Sequence, residues 1–367
     1  MTTLTDVETV DATNCDREPI HIPGSVQPHG VLLACSAHDW IITHASANSA
    51  DIFRKKAERL IGADLRDIVG PSTIAALERG QRTTRAGHPP TGRLLGLRLR
   101  GRRGHYDASL HTFAGRRIFE IEPAADEPAI PPLDLVGSIL SRLQNARTLV
   151  ELCNSMAREL RELIGFDRVL VYRFLNDGSG QVIAESRGEA LESLLGLRYP
   201  ATDIPAPARE LYKRNWIRLI ADVHATPSIV VSAVDESAGE LDLSFADLRS
   251  VSPIHIQYLK NMAVGASMSI SIIVGQELWG LVACHHRVPR KVPANSRAAA
   301  ELLGQVFSLQ IQTVEGLEAY ITMRAARALL DRVVAEFPAD GELIDNIASR
   351  LEQIAAFVQC DGAGVWI

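Results

Sequence analysis

Residues 267–274 alternate between hydroxyl-bearing Ser267, Ser269 and Ser271 and apolar Met268, Ile270 and Ile272. That is the period of a strand, so the three hydroxyls share one face. Such a face fits two readings: the solvated side of an edge strand, or a polar wall for carboxylate or phosphate groups. In residues 278–286 the same period sets Trp279, Leu281, Ala283 and His285 against Gly280, Val282, Cys284 and His286. The two histidines therefore point apart and do not chelate one metal, and Cys284 beside His285 is no nucleophile dyad. Taken singly, a histidine on such a face more often serves the core than a ligand.

Further along the chemistry-bearing inventory, Tyr199-Pro-Ala-Thr-Asp-Ile-Pro-Ala-Pro-Ala-Arg-Glu-Leu-Tyr212 gathers three prolines around Asp203 ahead of a helical pattern. Thr202 or Asp203 could simply cap that helix, with a proline in its first turn. A cap does not need Pro200, Pro205 and Pro207 together, whereas a rigid loop would fix the Asp203 backbone in place. Arg218 and Arg249 are candidate anion forks, each equally at home on a surface when judged alone. The five cysteines, Cys15, Cys35, Cys153, Cys284 and Cys360, never form CxxC, which argues against a disulfide framework or a zinc knuckle.

These residues need elements to hold them. At roughly 150 residues per domain, 367 residues predict about two and a half domains. Hydrophobic residues at 46% and charged residues at 22% are the composition of a folded globular protein. A net charge of −6 offers no general field for nucleic acid or anionic lipid. The uncharged stretch 261–276 is too short and polar to span a bilayer, and the acidic N-terminus is the opposite of a secretory leader. No nucleic-acid or membrane partner is expected, and a cytoplasmic location is.

Residues 1–20 read as an arm. Short strand-like runs at 31–35, 40–43, 105–113 and 117–122, with a helical patch at 49–57, predict a small α+β domain over 21–122. Pro123-Ala-Ala-Asp-Glu-Pro-Ala-Ile-Pro-Pro132 is a stiff linker, residues 123–132. The second domain, 133–310, opens with a helical pattern over 133–164 followed by a strand at 167–174. Apolar positions at helical spacing over 293–337 predict one helix of about 60 Å that connects domains. Residues 343–367 echo the helix, turn and strand of 149–174. Residues 311–367 are thus expected to be a connecting helix and the start of a third domain that stops in its first strand.

Four segments together resemble the signature blocks of the bacteriophytochromes: Cys15-Asp-Arg-Glu-Pro-Ile-His-Ile-Pro-Gly-Ser-Val-Gln-Pro-His-Gly30, Tyr199-Pro-Ala-Thr-Asp-Ile-Pro205, Ser252-Pro-Ile-His-Ile-Gln-Tyr-Leu-Lys-Asn-Met-Ala-Val264 and Leu278-Trp-Gly-Leu-Val-Ala-Cys-His-His286. They occur in the family's order across about residues 12–310. The resemblance implies an α+β fold with a PAS domain and a GAF domain, each an antiparallel sheet with flanking helices. It also implies an N-terminal arm knotted through the GAF domain and a long helix leading to a PHY domain. It implies a red/far-red photoreceptor module that binds the linear tetrapyrrole biliverdin, with Cys15 forming the thioether.

By the same resemblance Asp203, Ile204 and Pro205 form the loop at the pyrrole nitrogens, and His255 and His285 meet the pyrrole water and the ring D carbonyl. Tyr172, Tyr199, Tyr212 and Tyr258 are aromatic pocket residues; Arg218, Arg249, Ser252, Ser267 and Ser269 lie on the propionate side. Thr202 replaces a common serine and Ala263 a common glycine. The implied partners are a second copy of the chain, paired through the long helices, and a downstream output domain or response regulator. No enzyme motif is present, so kinase activity would belong to a C-terminal region outside this sequence. Two other readings exist. A GAF module for a soluble small molecule would have no use for Cys15, and a near-infrared fluorescent protein engineered on the same scaffold usually lacks the loop aspartate that is retained here.

Overall fold

Alternating burial along Val31–Ser36 (β2) explains the first half of the protein: Val31, Leu33 and Cys35 enter one apolar cluster, Leu32 and Ala34 another. The strand is therefore covered on both faces, which suits its continuous apolar sequence. The computed structural model describes residues 18–82, 87–125, 131–233, 240–337, 342–358 and 364. Cys15 and most of the expected 1–20 arm lie outside them. The chain divides into two bodies, residues 1–309 and 310–367.

In the first body, β1 (Ser25–Val26) precedes β2. It is followed by β3 (Ile42–Ser46), short helices α1 (Ser49–Phe53), α2 (Ala57–Leu60), α3 (Leu65–Val69) and α4 (Pro71–Gly80), and strands β4 (Thr91–Leu97), β5 (Tyr106–Phe113) and β6 (Arg116–Pro123). The sequence pattern gave no sign of α3, α4 or β4. Helices α5 (Pro132–Gln144) and α6 (Leu149–Ile164) divide what the periodicity joined as 133–164. The break has a local cause: the Thr148 side chain accepts the Glu151 N–H and starts a new helix. Gly165, at φ 64°, ends α6 in the left-handed conformation.

Next come β7 (Arg168–Phe174), β8 (Gly180–Arg187), β9 (Arg198–Tyr199), a 3-10 turn (Ala201–Asp203), α7 (Ala206–Arg214), β10 (Ile217–Ile220) and β11 (Ser228–Ser232). They are followed by α8 (Pro253–Asn261), β12 (Ala266–Val274), β13 (Glu277–His286) and the 42-residue α9 (Ala294–Ala335). The second body adds α10 (Leu343–Ala348) and α11 (Leu351–Val358). Most of the strand expected after them falls on residues that are not described.

Two antiparallel sheets organise the first body, in the orders β1-β11-β3-β2-β6-β5-β4 and β10-β12-β13-β7-β8-β9. The first sheet takes β11 from a segment that the sequence grouped with the second domain. One face of this sheet packs on its own short helices, and the other, through Val26, Leu32, Ala34 and Ile118, on residues 241–248. The segment just after the arm is held on both sides: Ser25 and Val26 pair with Ile229 and Ser228, and the His21 carbonyl accepts the Leu243 N–H. That is the arrangement expected of an arm that passes through the loop between β10 and α8.

Candidate functional site

In the second sheet the register lines up one set of side chains on a single face. Arg218 on β10 stands beside Ser269, Ser269 beside Ala283, and Ala283 beside Leu170; Ser267 stands beside His285. The opposite set, including Met268, Ile270, Val282 and Val171, is buried and faces the side covered by α6 and the first turns of α9. The serine alternation is thus a polar wall on a covered face. Ser271 departs from it, since its hydroxyl donates to the Tyr212 carbonyl at 2.7 Å.

Above this face the 199–215 segment, α8, the 249–252 stretch and Glu18 and Ile20 of the arm enclose a cavity of about 470 Å³, within the usual range for small-molecule sites. Every predicted site residue other than Cys15 lines it: Tyr172, Tyr199, Asp203, Ile204, Pro205, Tyr212, Arg218, Arg249, Ser252, His255, Tyr258, Ser267, Ser269 and His285. Its walls are elongated. Arg218 on β10 and Tyr172 on β7 are three strands apart, about 14 Å at the usual strand spacing, and Tyr199 on β9 lies two strands further.

The β10 side is cationic. Arg218 donates to the carbonyls of Arg249 and of Ser250, the latter at 3.0 Å, and reaches the Asp247 carbonyl at 3.4 Å. Burial lowers its guanidinium to about 10, with Tyr212, Asp247 and Glu120 working the other way. It remains charged at neutral pH. Arg249 donates to the Ile20 carbonyl at 2.9 Å, and Ser252 donates to the Glu18 carboxylate at 2.6 Å. Burial, reinforced by Arg218, holds the Arg249 guanidinium well below its ordinary value. An anion supplied at this end would relieve both.

At the other side the aromatic rings gather. Tyr172 and Tyr199 lie 6.0 Å apart between centroids, Tyr172 meets Phe174 edge-on at 5.3 Å, and His255 stacks with Tyr258 at 6.1 Å. Burial raises the Asp203 carboxyl, and the hydrogen bond from Tyr258 pulls it back down. Burial likewise raises the Tyr172 phenol to about 12. His255 and His285 are both lowered to about 4, first by burial, then by Arg218 for His255 and by Arg168 and His255 for His285. Both are neutral imidazoles at neutral pH, each with one donor and one acceptor nitrogen. His286 points the other way, to Asp167 at 3.0 Å.

Among the described residues, three buried polar atoms of the cavity lining have no hydrogen-bond partner: Arg249 Nε, His285 Nδ1 and Asn215 Nδ2. Buried polar groups in native proteins are normally satisfied. Three such atoms lie around one elongated cavity with a cationic side and an aromatic side.

Comparison with known proteins agrees in kind. Residues 15–124 match the PAS fold and residues 148–314 the GAF domain. The chromophore-binding domain of a Stigmatella aurantiaca bacteriophytochrome in the Pr state is 45% identical, with a TM-score of 0.73 over 81% of this chain and 99% of that one. The chain belongs to the bacteriophytochromes. The wild-type photosensory core module of the S. aurantiaca phytochrome is 41% identical, with a TM-score of 0.81 over 95% of this chain and 70% of that one. The bacteriophytochrome of Pseudomonas aeruginosa is 39% identical over 99% of this chain and 49% of its own length. Cyanobacterial phytochrome B of Nostoc sp. is 36% identical over 97% and 48%. The chain spans about half the length of these curated relatives.

Within this bacteriophytochrome cavity, sequence reasoning missed Glu18, Ile20 and Asn215. Glu18 and Ile20 sit inside the first signature block, where the signal was present. Asn215 follows α7 with no motif to mark it. Ala263, noted where the family has glycine, adopts φ 54°, the left-handed conformation that glycine occupies without strain. No described helix is long and apolar enough to cross a membrane.

Proposed function

We propose that the chain is the light-sensing module of a bacteriophytochrome and that its cavity holds biliverdin, attached through a thioether to Cys15. The observation that carries this reading is the pairing of buried, under-partnered Arg249 and His285 in one cavity with Arg218 and a cluster of tyrosines. A tetrapyrrole supplies light absorption and a double bond that isomerises. The protein's residues do the rest. Arg218 and Arg249 present a fork to the propionates, with Ser267 and Ser269 as hydroxyl donors beside them. His285 offers its free ring nitrogen to a terminal carbonyl, and the Asp203 loop accepts pyrrole N–H groups. Asp203 and Tyr258 form the hydrogen-bonded pair that a rotating ring would disturb.

The same reading divides the described first body into a PAS domain over 21–122, a linker and a GAF domain over 133–310, followed by a helix toward a PHY domain. Exposed Leu309, Leu317, Ile321, Met323 and Leu330 along α9 support a homodimer through helical pairing. An output domain or response regulator would receive the signal. The decisive experiment is an absorption spectrum of the chain mixed with biliverdin, before and after red light. A red-absorbing adduct that converts on illumination is expected. No coloured complex, with tight binding of a cyclic nucleotide instead, would refute the reading.

A further inference from the structure

A buried carboxylate of the first sheet, together with β1, fastens the anion side of the cavity: the Gln27 N–H donates to the Leu248 carbonyl at 2.7 Å, the Ser250 N–H donates to the Ser25 carbonyl at 3.2 Å, and Val26 bridges Arg249. Glu120 on β6 is 4% exposed and shares a face with Ile118, toward residues 241–248. Its carboxylate accepts the Leu248 N–H at 2.7 Å and the Asp247 N–H at 3.1 Å. From the opposite side Arg218 takes the carbonyls of Asp247, Arg249 and Ser250. Residues 247–250 are thus held between Glu120 and the β1 segment on one side and the cavity arginine on the other, which takes three of their four carbonyls while Leu248 gives its own to Gln27. Arg249 projects from the middle of this clamp. The Asp247 side chain does not compete for it, since it pairs with Arg93 on β4 at 2.7 Å.

We infer that Glu120 is a positioning residue for the two-arginine carboxylate site, acting through the 247–250 backbone, so that the first sheet is part of the ligand-binding apparatus. Two physical arguments support this. A buried carboxylate costs free energy unless it is fully used, and here both oxygens are spent on consecutive backbone donors of one segment. Asp247, kept ionised beside Arg93, also offsets the burial of the Arg218 guanidinium, while burial and Asp247 raise the Glu120 carboxyl to about 8 against the downward pull of its two backbone donors. Replacing the carboxylate by an amide would set an N–H₂ against a backbone N–H. The bonds to Ser25 and Gln27 would keep the segment in place overall, but the Asp247 and Leu248 N–H groups would lose their shared anchor just beside the residues on which Arg218 and Arg249 depend.

This inference rests on the reading of the cavity as a tetrapyrrole site, and its test separates the two. Binding of biliverdin and of biliverdin dimethyl ester, which lacks the free carboxylates, is titrated by visible absorbance in the full chain carrying Cys15→Ser, so that association stays reversible. Glu120→Gln is expected to weaken the free acid at least tenfold and to change the ester by less than twofold. Equal losses for both pigments would assign Glu120 a merely structural role, and no loss for the free acid would remove it from the site; either result overturns the inference alone. Failure of the Glu120-intact chain to bind either pigment would sink the tetrapyrrole reading and this inference with it. Glu120→Asp, which keeps the carboxyl group but shortens the reach by one methylene, decides the same comparison if the glutamine variant does not fold.

Discussion

The phenol end of Tyr172 occupies the space that a side chain at Gly180 would take: a Cβ built at Gly180 overlaps the ring. Gly180 pairs with Phe174 on β7 and Tyr199 on β9, so the missing side chain opens a slot in the sheet for a cavity tyrosine. Gly180→Ala should push that ring toward the cavity. We expect it to cost about 1–3 kcal/mol, the usual range for overpacking, and to shift the absorption of the pigment-loaded chain. A spectrum and photoconversion yield identical to those of the unmodified chain would show that the slot does not set the Tyr172 position.

Asp203 and Tyr258 make a second testable pair. Asp203→His should retain biliverdin, because the propionate partners remain, while losing most photoconversion and fluorescing more strongly. Tyr258→Phe removes the hydrogen bond that lowers the Asp203 carboxyl against the upward pull of burial. Protonation of that carboxyl should therefore move to higher pH, since a hydrogen bond to the charged form is lost. Difference spectra recorded along a pH series check both, and an unchanged titration in Tyr258→Phe would detach the tyrosine from Asp203.

Which features were legible in the sequence follows from where their information resides. The polar wall of β12 and the divergence of His285 and His286 are period-2 facts, written locally. The proline loop around Asp203 is equally local. The capture of β11 by the first sheet is not, because Ser228 and Ser25 are about 200 residues apart and neither strand advertises its partner. The Glu120 clamp on Asp247 and Leu248 is hidden for the same reason. Ser271 follows the alternation of its neighbours and still leaves the cavity to them, because the end of α7 presents a carbonyl that accepts its hydrogen bond. The break between α5 and α6 was visible in principle as Thr148 followed three residues later by Glu151, a helix-start signature that the apolar periodicity overrode.

The neutral histidines should make the pigment-free chain sensitive to acid. His255 and His285 titrate at about 4 in the folded protein, against about 6.5 in an unfolded chain. The unfolded state binds the proton first as pH falls. The stability they contribute is therefore present above 6.5 and is lost as pH drops from 6.5 toward 4. Between pH 7 and 5 each should account for about 2 kcal/mol. Denaturant midpoints at the two pH values, compared with those of His285→Gln, measure it; a loss no smaller in the variant would contradict this assignment.

The family resemblance implies attachment at Cys15; of the other four cysteines, Cys360 lies outside the described residues. Cys35, Cys153 and Cys284 are all buried, and burial pushes the Cys35 thiol up to about 12 and the Cys284 thiol higher still. The thiolate is the reactive form, so Cys35 and Cys284 remain unreactive thiols near neutral pH. Cys284 also stands on the face of β13 opposite to His285, away from the cavity. Glu18 lines the cavity, and Cys15 precedes it by three residues, a reach of about 10 Å along an extended chain. The Cys15 thiol can therefore reach a ligand held beside Glu18. Cys15→Ser should bind biliverdin yet release it on denaturation, while Cys284→Ser keeps a covalent adduct. A denaturing gel stained for zinc-induced pigment fluorescence reads both outcomes, and a labelled Cys15→Ser band would place the bond elsewhere.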